Sequence, residues 1–339
     1  MGEVFMKTMG RILFAAGTVL ALSACSLSEP GSAEREPAGS SDHITVLTIG
    51  TADSGGSMYP AGSVLADVIR ESAPDVRVNI SASTGSYQNI AQLGEGQIDI
   101  GFVSGDAAYA AYNGTYGYSD DPQEGLRAVA ALYSSVSNWM VLESSPFYYV
   151  HDLLGERIAI GPETSSTDLS AEIVLERLGI TRENTEILTQ GGIGFGAGQV
   201  KKGETDAVHG FAGIPVSGLS ELADQTPVRL LKYTDGELSG LLAANSFYHK
   251  SVIPAGTYAG QTEAVDSFGV KCLICVDESM DEEMVWRITS ILYQNRQRMA
   301  DEQGIVAPIL ENGFMYEDLP IPLHEGARRF YEEEGLLGS

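Results

Sequence analysis

The chain has 339 residues, of which 43% are hydrophobic, and a formal net charge of −26. This acidity excludes nucleic acid as a natural partner, because phosphate contacts need clusters of Lys and Arg. It also argues against direct binding to anionic lipid, and it is typical of a well-solvated surface. The hydrophobic content is high enough to form real cores.

The N-terminus predicts an exported lipoprotein. Lys7 and Arg11 precede an apolar run, residues 12–22, that is shorter than the roughly 20 residues needed to span a bilayer. The run ends in Leu22-Ser23-Ala24-Cys25, which resembles a bacterial lipobox. We therefore expect residues 1–24 to be a signal peptide and Cys25 to carry a lipid. The lipid would anchor the protein on the outer side of the cytoplasmic membrane, or the protein would be periplasmic.

Residues 25–42 predict a flexible tether, because they are rich in Ser, Pro, Gly and Glu and nearly lack large apolar side chains. The remaining chain is too long for one compact core and is sufficient for two lobes.

After the tether, short β-like runs alternate with helical patterns. Residues 44–50, 76–80 and 98–103 read as strands, and between the first two Val64, Leu65, Val68 and Ile69 share one helical face. Strands that alternate with helices indicate βαβ units, an α/β fold and mostly parallel sheets.

A weak internal repeat supports two lobes of similar construction. Gly96 and Gly203 each follow a predicted helix and precede an Asp and a strand, about 107 residues apart. We expect two mostly parallel sheets with a cleft between the lobes. The first lobe would comprise residues 43–138 and 254–339, the second residues 139–253, and the chain would cross between them near Asn138 and Ile253.

Four loops that follow strands are rich in hydroxyl groups and small residues. They occupy residues 51–60, 81–87, 104–106 and 161–167. Each comes just before a predicted helix, so its backbone N–H groups and the helix dipole favour an anion. One such loop is an ordinary helix cap. Four at equivalent positions predict a cleft for a small anionic ligand, and ligands of open α/β sheets bind at the carboxyl ends of strands.

Other motifs favour structural explanations. Cys272 and Cys275 lie three residues apart in an apolar β-rich run, so they should be buried on opposite faces of a strand. The glycines of residues 192–196 are a weak dinucleotide signal without a convincing βαβ context. The five His lack a metal-binding spacing, and G-x-S-x-G is absent from the sequence. We therefore expect no cofactor, metal or catalytic activity, although His209 lies near the expected wall of the cleft.

Taken together, several segments resemble the TAXI receptors of TRAP transporters. They are TIGTADSGGSMYPAG, SASTGSYQNI, IDIGFVSGDAAYAAYNGT, LRAVAALY, IAIGPETSSTD, FAGIPVSGLSELA and IPAGTYAGQ. The resemblance covers essentially all of residues 44–300 in order. The resemblance implies a type II periplasmic-binding-protein fold. It also implies capture of a small carboxylate or amino acid by hinge closure, and delivery to the membrane permease subunits of a TRAP transporter.

The resemblance also implies the ligand contacts. They are Ser54, Tyr59, Ser83, Thr84, Gly85, Ser104, Asp106, Ser165 and Thr167, with Gly213 and Pro215 at the edge of the cleft. The sequence departs from the family pattern at Gly85-Ser86, around Val103 to Asp106 and in residues 191–198, which leaves the exact ligand open. Two other functions also stay open: a ligand-sensing lipoprotein that signals to a membrane partner, and an extracellular enzyme on the same scaffold.

Overall fold

The computed structural model describes residues 44–54, 56–189 and 191–338. The predicted signal peptide, the lipid-carrying Cys25 and the tether lie outside the described residues. The strands are β1 (Thr45–Gly50), β2 (Val76–Ser81), β3 (Ile100–Ser104), β4 (Leu126–Leu142), β5 (Arg157–Ala159), β6 (Glu186–Leu188), β7 (Ala207–Ala212), β8 (Val228–Leu230), β9 (His249–Ile253) and β10 (Val265–Asp277).

The α-helices lie between and after these strands. They are α1 (Met58–Ser72), α2 (Ser86–Gly94), α3 (Gly105–Asn113), α4 (Ser166–Arg177), α5 (Ile193–Lys202), α6 (Ser217–Gln225), α7 (Asp235–Ala244), α8 (Glu282–Gln294), α9 (Arg296–Glu302) and α10 (Glu325–Glu333). Three short 3₁₀ segments before β4, before β5 and after α9 complete the described elements.

The strands form one mixed sheet in the order β2-β1-β3-β10-β4-β7-β5-β6, with β8 paired to β4 and β9 to β10. The outer strands pair in parallel, whereas β10 and β4 run antiparallel to their neighbours. The predicted α/β fold is confirmed. The two expected sheets are joined through β4 and β10 into one. We call β2-β1-β3 with their helices the β1 side, and β7-β5-β6 with theirs the β5 side.

Strand β4 runs through the middle of the sheet and changes partner along its length. Its first part pairs with β10, and at Val136 it contacts both Gly269 of β10 and Ala212 of β7. The expected crossing near Asn138 therefore lies inside a continuous strand, next to this change of partner. The division into residues 43–138 with 254–339 and residues 139–253 stays a prediction.

The internal repeat appears in the structure as two equivalent turns. Gly96 and Gly203 both have left-handed backbones, with φ of 67° and 72°. The Asp99 Oδ2 atom accepts the backbone N–H of Thr48 in β1 at 2.7 Å. The Asp206 Oδ2 atom accepts that of Arg157 in β5 at 3.0 Å. Each Asp thus joins the start of the strand that follows it, β3 or β7, to the central strand on its side.

Two hydrophobic clusters cover the opposite faces of β10. Cys272 packs with Leu65 and Phe102 in one cluster, and Cys275 packs with Val103 and Leu273 in the other. Both thiols are fully buried and are not in a disulfide. The predicted placement of the two cysteines on opposite faces is confirmed.

The acidic helical segment near the C-terminus is divided. The sequence predicts one helix over residues 280–299, but α8 ends before Asn295 and α9 begins after it. The Asn295 Nδ2 group donates to the Ile291 carbonyl at 2.8 Å, which satisfies a carbonyl of the last turn. Among the described residues, no helix is long and apolar enough to cross a membrane.

Candidate ligand-binding site

A small cavity lies where loops from both sides of the sheet meet. Its volume is about 40 Å³, room for roughly one water molecule. The lining residues are Ala52, Asp53, Gly56, Ser57, Met58, Thr84, Gly85, Tyr133, Ser135, Pro162, Ser165, Ser166, Thr167, Ile193, Phe211 and Ala212.

Four helix N-termini meet at this cavity. Helices α1 and α2 approach from the β1 side through Ser57 and Gly85, and α4 and α5 approach from the β5 side through Ser165 and Ile193. The first N–H groups of a helix have no partner within the helix, and its dipole is positive there. In α1, α2 and α5 the N-cap residue supplies no side-chain hydrogen bond. The arrangement therefore favours a negatively charged group in the cavity.

The loop after β1 is held by hydrogen bonds to one carbonyl group. The Thr51 carbonyl oxygen accepts the Ser83 hydroxyl at 2.7 Å and the Asn89 Nδ2 group at 2.8 Å. The Ser83 hydroxyl oxygen accepts the N–H of Gly85 at 3.0 Å. Gly85 has a φ of 126°, which other residues rarely adopt. These bonds place the N-terminus of α2 at the cavity.

Two close approaches join the sides of the sheet next to the cavity. The Ser57 hydroxyl donates to the Gly213 carbonyl oxygen at 3.1 Å. The second approach brings the Asp53 carboxylate to the N-terminus of α5, where a β-carbon added at Gly192 would lie 2.9 Å from Asp53 Oδ2. Only glycine at position 192 allows this approach without displacement. The structure thus shows the two sides in contact.

On the β5 side, buried hydrogen bonds fix the first turn of α4. The Ser165 hydroxyl caps the helix by accepting the N–H of Asp168 at 3.1 Å. The Thr167 carbonyl oxygen lies 3.1 Å from Nδ1 of His209, a fully buried side chain in β7. Burial lowers the pKa of His209 to about 3, so this imidazole is neutral.

The predicted ligand contacts fall into two groups. Those that line the cavity are Thr84, Gly85, Ser165 and Thr167, and Gly213 bonds to a lining residue. Those that lie away from it are Ser54, Tyr59, Ser83, Ser104, Asp106 and Pro215. Of these, Ser54, Tyr59 and Pro215 are exposed, and Ser83 supports the loop described above. For both groups, the role as ligand contacts remains a prediction.

Ser104 and Asp106 are fully buried and do not line the cavity. The backbone N–H of Ser104 donates to the Ser86 hydroxyl at 3.0 Å. The Asp106 carboxylate accepts the Tyr248 hydroxyl at 3.0 Å and the Ala107 N–H at 2.9 Å. Burial raises the pKa of Asp106 to about 6, although these bonds act in the opposite direction. Both residues therefore stabilise the starts of α2 and α3.

The sequence reading missed several lining residues. Tyr133 and Ser135 lie two residues apart on β4, so their side chains are on the same face of the strand. No local sequence pattern shows that this face meets the cavity. Phe211 could have been found, since the 107-residue repeat places it where Ser104 stands in the first copy. Ser57 lies at the end of a predicted loop and directly precedes α1, but its hydroxyl donates to Gly213 and not to the helix.

The model of the NMT1-like family matches residues 49–335. The chain belongs to this family. Its fold is similar to that of PhnD1 from Prochlorococcus marinus, a structure in complex with methylphosphonate. The two are 11% identical, and the match covers 87% of this chain and 100% of PhnD1 with a TM-score of 0.55.

A second similar structure is a protein from Bordetella bronchiseptica. It is 11% identical, the match covers 86% of this chain and 98% of that protein, and the TM-score is 0.56. At these identities the likeness shows the fold alone. The chain shares an α/β fold with these two structures, built here on one mixed sheet.

Proposed function

We propose that this protein is an extracytoplasmic solute-binding receptor that closes around a small organic anion or amino acid and performs no chemistry on it. One observation carries the proposal: four helix N-termini, two from each side of the sheet, meet at a single cavity. A ligand held by both sides binds the closed arrangement more tightly than the open one, and that difference drives closure.

The size of the cavity supports a hinge motion. A space of about 40 Å³ is smaller than any amino acid, and ligand pockets usually enclose about 300–1,000 Å³. The two sides must therefore separate before a solute can enter. The close approaches of Ser57 to Gly213 and of Asp53 to Gly192 are the contacts that would break on opening.

The lining residues support an anionic group in the ligand. Among the described residues that line the cavity there is no Lys, Arg or His, so an anion would be bound by backbone N–H groups and hydroxyls. The hydroxyls come from Ser57, Thr84, Tyr133, Ser135, Ser165, Ser166 and Thr167. Asp53 adds one carboxylate, which suits the ammonium group of an amino acid.

The transport role is the finer part of the proposal. The resemblance of residues 44–300 to TAXI receptors supports delivery to the permease subunits of a TRAP transporter. The lipobox at Cys25, which lies outside the described residues, supports a lipid anchor on the outer side of the cytoplasmic membrane.

Mass spectrometry of the small molecule that copurifies with the folded protein tests the ligand class, and calorimetry with that compound tests its site. We expect an organic anion or a zwitterion. Ser166→Ala should weaken its binding by about 0.5–1.5 kcal/mol, or more where the acceptor is charged. Ser144→Ala is the matched control, because Ser144 is an exposed hydroxyl away from the cavity. A cationic or purely apolar ligand, or turnover of the bound compound, would contradict the proposal.

A further inference from the structure

A second, acidic cavity lies between the β1 side and helix α4. Its volume is about 290 Å³, several times that of the cavity described above. Tyr87, Tyr116 and Gly117 form its wall on the β1 side. The opposite wall consists of Thr164, Asp168, Leu169, Glu172, Ile173 and Glu176.

Three carboxylates of α4 face this cavity at a spacing of four residues, which places them on one side of the helix. The Arg182 guanidinium lies 2.9 Å from Glu172 Oε1 and 3.9 Å from Asp168 Oδ1. Within the described part of the chain, Glu176 has no ion-pair partner. One guanidinium therefore faces three carboxylates, which leaves a local excess of negative charge.

Asp168 is the buried member of this set. The residue is 8% exposed, and its Oδ2 atom accepts the Thr164 N–H at 3.2 Å. Its Oδ1 atom is fully buried and has no hydrogen-bond partner among the described residues. The Arg182 guanidinium, 3.9 Å from this oxygen, compensates only part of its lost hydration, because that distance is beyond hydrogen-bond range. Burial and the neighbouring Glu172 raise the pKa of Asp168 to about 6.

The facing wall is aromatic and held in place. The Tyr87 ring stacks on Tyr118 with 4.9 Å between ring centroids, and the Tyr116 hydroxyl donates to Asn245 Oδ1 at 3.3 Å. Tyr116 remains 45% exposed. Aromatic faces attract cations, and Leu169 and Ile173 offer apolar contact to methylene or methyl groups.

These features select an organic cation over a metal ion. Metal ions need several oxygens that converge within about 2.0–2.6 Å. In the described part of the chain, no group of three or more acidic, His or Cys side chains could hold a metal ion. Spread carboxylates with tyrosines and aliphatic side chains instead suit a bulky, weakly hydrated ammonium group.

We propose that this cavity binds a small organic cation that carries an alkylammonium or quaternary ammonium group. The ammonium lies between Tyr116 and the carboxylates of Asp168, Glu172 and Glu176, and its alkyl part contacts Leu169. Because the tyrosines belong to the β1 side and the carboxylates to α4, the bound cation holds the two sides together. It therefore stabilises the closed arrangement independently of the anion in the smaller cavity.

Titration with tetramethylammonium chloride and butylammonium chloride tests the proposal, with sodium chloride at equal ionic strength as the reference. Binding is measured by calorimetry in buffer without organic anions, so the result does not depend on anion capture. We expect saturable binding of at least one ammonium compound. Glu176→Gln and Tyr116→Leu should each weaken it about tenfold, which corresponds to about 1.4 kcal/mol.

Glu221→Gln is the matched control, because it removes one exposed acidic charge from α6, away from the cavity. An equal loss in this control would mean that general charge attracts the cation, and it would overturn the proposal. The titration is repeated on a Ser57→Cys/Gly213→Cys variant whose disulfide holds the sides together. Binding by the cross-linked protein supports the site. If neither protein binds an ammonium compound, or if only the wild type binds one, the proposal is overturned.

Discussion

The Nδ1 atom of His209 donates its proton to the carbonyl oxygen of Thr167, 3.1 Å away, and the neighbouring bonds fix this direction. The Trp139 Nε1–H can only donate, and it donates to the Tyr233 hydroxyl at 2.8 Å. That hydroxyl lies 3.0 Å from the Ser137 hydroxyl, which lies 3.0 Å from His209 Nε2. The Thr167 carbonyl oxygen can only accept, so His209 carries its proton on Nδ1 and its Nε2 atom accepts the Ser137 hydroxyl. The Ser137 oxygen in turn accepts the Tyr233 hydroxyl, and all the bonds run in one direction.

This chain of hydrogen bonds makes stability depend on pH. The pKa of His209 falls from 6.5 to about 3 on folding, so below pH 6.5 the unfolded chain takes up a proton that the native chain does not. The contribution of His209 to the free energy of unfolding therefore decreases as pH falls, by about 2 kcal/mol at pH 5 relative to neutral pH.

His209→Asn removes this titrating group. We expect the variant to be less stable at pH 7 by about 1–3 kcal/mol, because it loses the ring contact with Trp139 and one hydrogen bond. The difference between wild type and variant should shrink by about 2 kcal/mol between pH 7 and pH 5. Urea melts at several pH values measure this difference. Asp106 and Asp168, whose pKa values are raised, contribute equally to the stability of both proteins, so their contributions cancel in this difference. A difference that does not change with pH would mean that His209 is not the titrating group.

Gly192→Ala should weaken ligand binding by displacing Asp53. The added β-carbon would lie 2.9 Å from Asp53 Oδ2, so this exposed carboxylate must turn away from the N-terminus of α5. We expect about a threefold loss of affinity for the copurifying ligand, with little change in the thermal melt of the ligand-free protein. The control is Gly198→Ala in the same helix, where an added β-carbon meets no atom within 4 Å. Equal affinities in the two variants would contradict the expected role of this contact.

A disulfide between positions 57 and 213 should trap the closed arrangement. A β-carbon added at Gly213 would lie 3.5 Å from the Ser57 β-carbon, within the range of disulfide geometry. Under oxidising conditions, Ser57→Cys/Gly213→Cys should form the bond, block ligand exchange and show a smaller radius of gyration than the reduced variant without ligand. Thiol titration and small-angle scattering measure these changes. If the bond forms and the radius is the same in both states, the ligand-free protein is already closed and the hinge is wrong.

The lipid anchor depends on one thiol. We expect Cys25→Ser to abolish metabolic labelling with a fatty acid and to leave the protein soluble or unprocessed, because the lipid is attached to that sulfur. Ser26→Ala keeps the thiol and should retain the label. If the wild-type protein takes up no fatty acid, the lipobox interpretation is wrong.

Much of the fold can be predicted from local signals. The alternation of strands and helices and the two copies of the Gly-Asp turn come from short segments, and the structure contains all of them. The middle of the sheet cannot be predicted in this way. Leu126 pairs with Asp277 and Val136 with Gly269, and no local pattern indicates partners so far apart along the chain.

The same limit applies to the cavity. Loops after parallel strands are rich in glycine and hydroxyl residues. This pattern is why Thr84, Gly85, Ser165 and Thr167 could be predicted as site residues. Ser104 and Asp106 carry the same signal, but they are buried away from the cavity lining, where their hydrogen bonds hold the starts of α2 and α3. Tyr133 lines the cavity because of the long pairing of β4, which the sequence does not reveal.

The long pairing of β4 with β10, which continues past two register shifts, also has a consequence for denaturation. Because β10 lies between β3 and β4, and β4 continues into the pairing with β7, neither end of the sheet can melt without leaving backbone groups of the central strands unpaired. Unpaired buried backbone groups are costly, so partial unfolding of one side is disfavoured. Urea should therefore remove the secondary structure of the described residues in one cooperative transition, although the proposed ligand site lies between two parts that we expect to move.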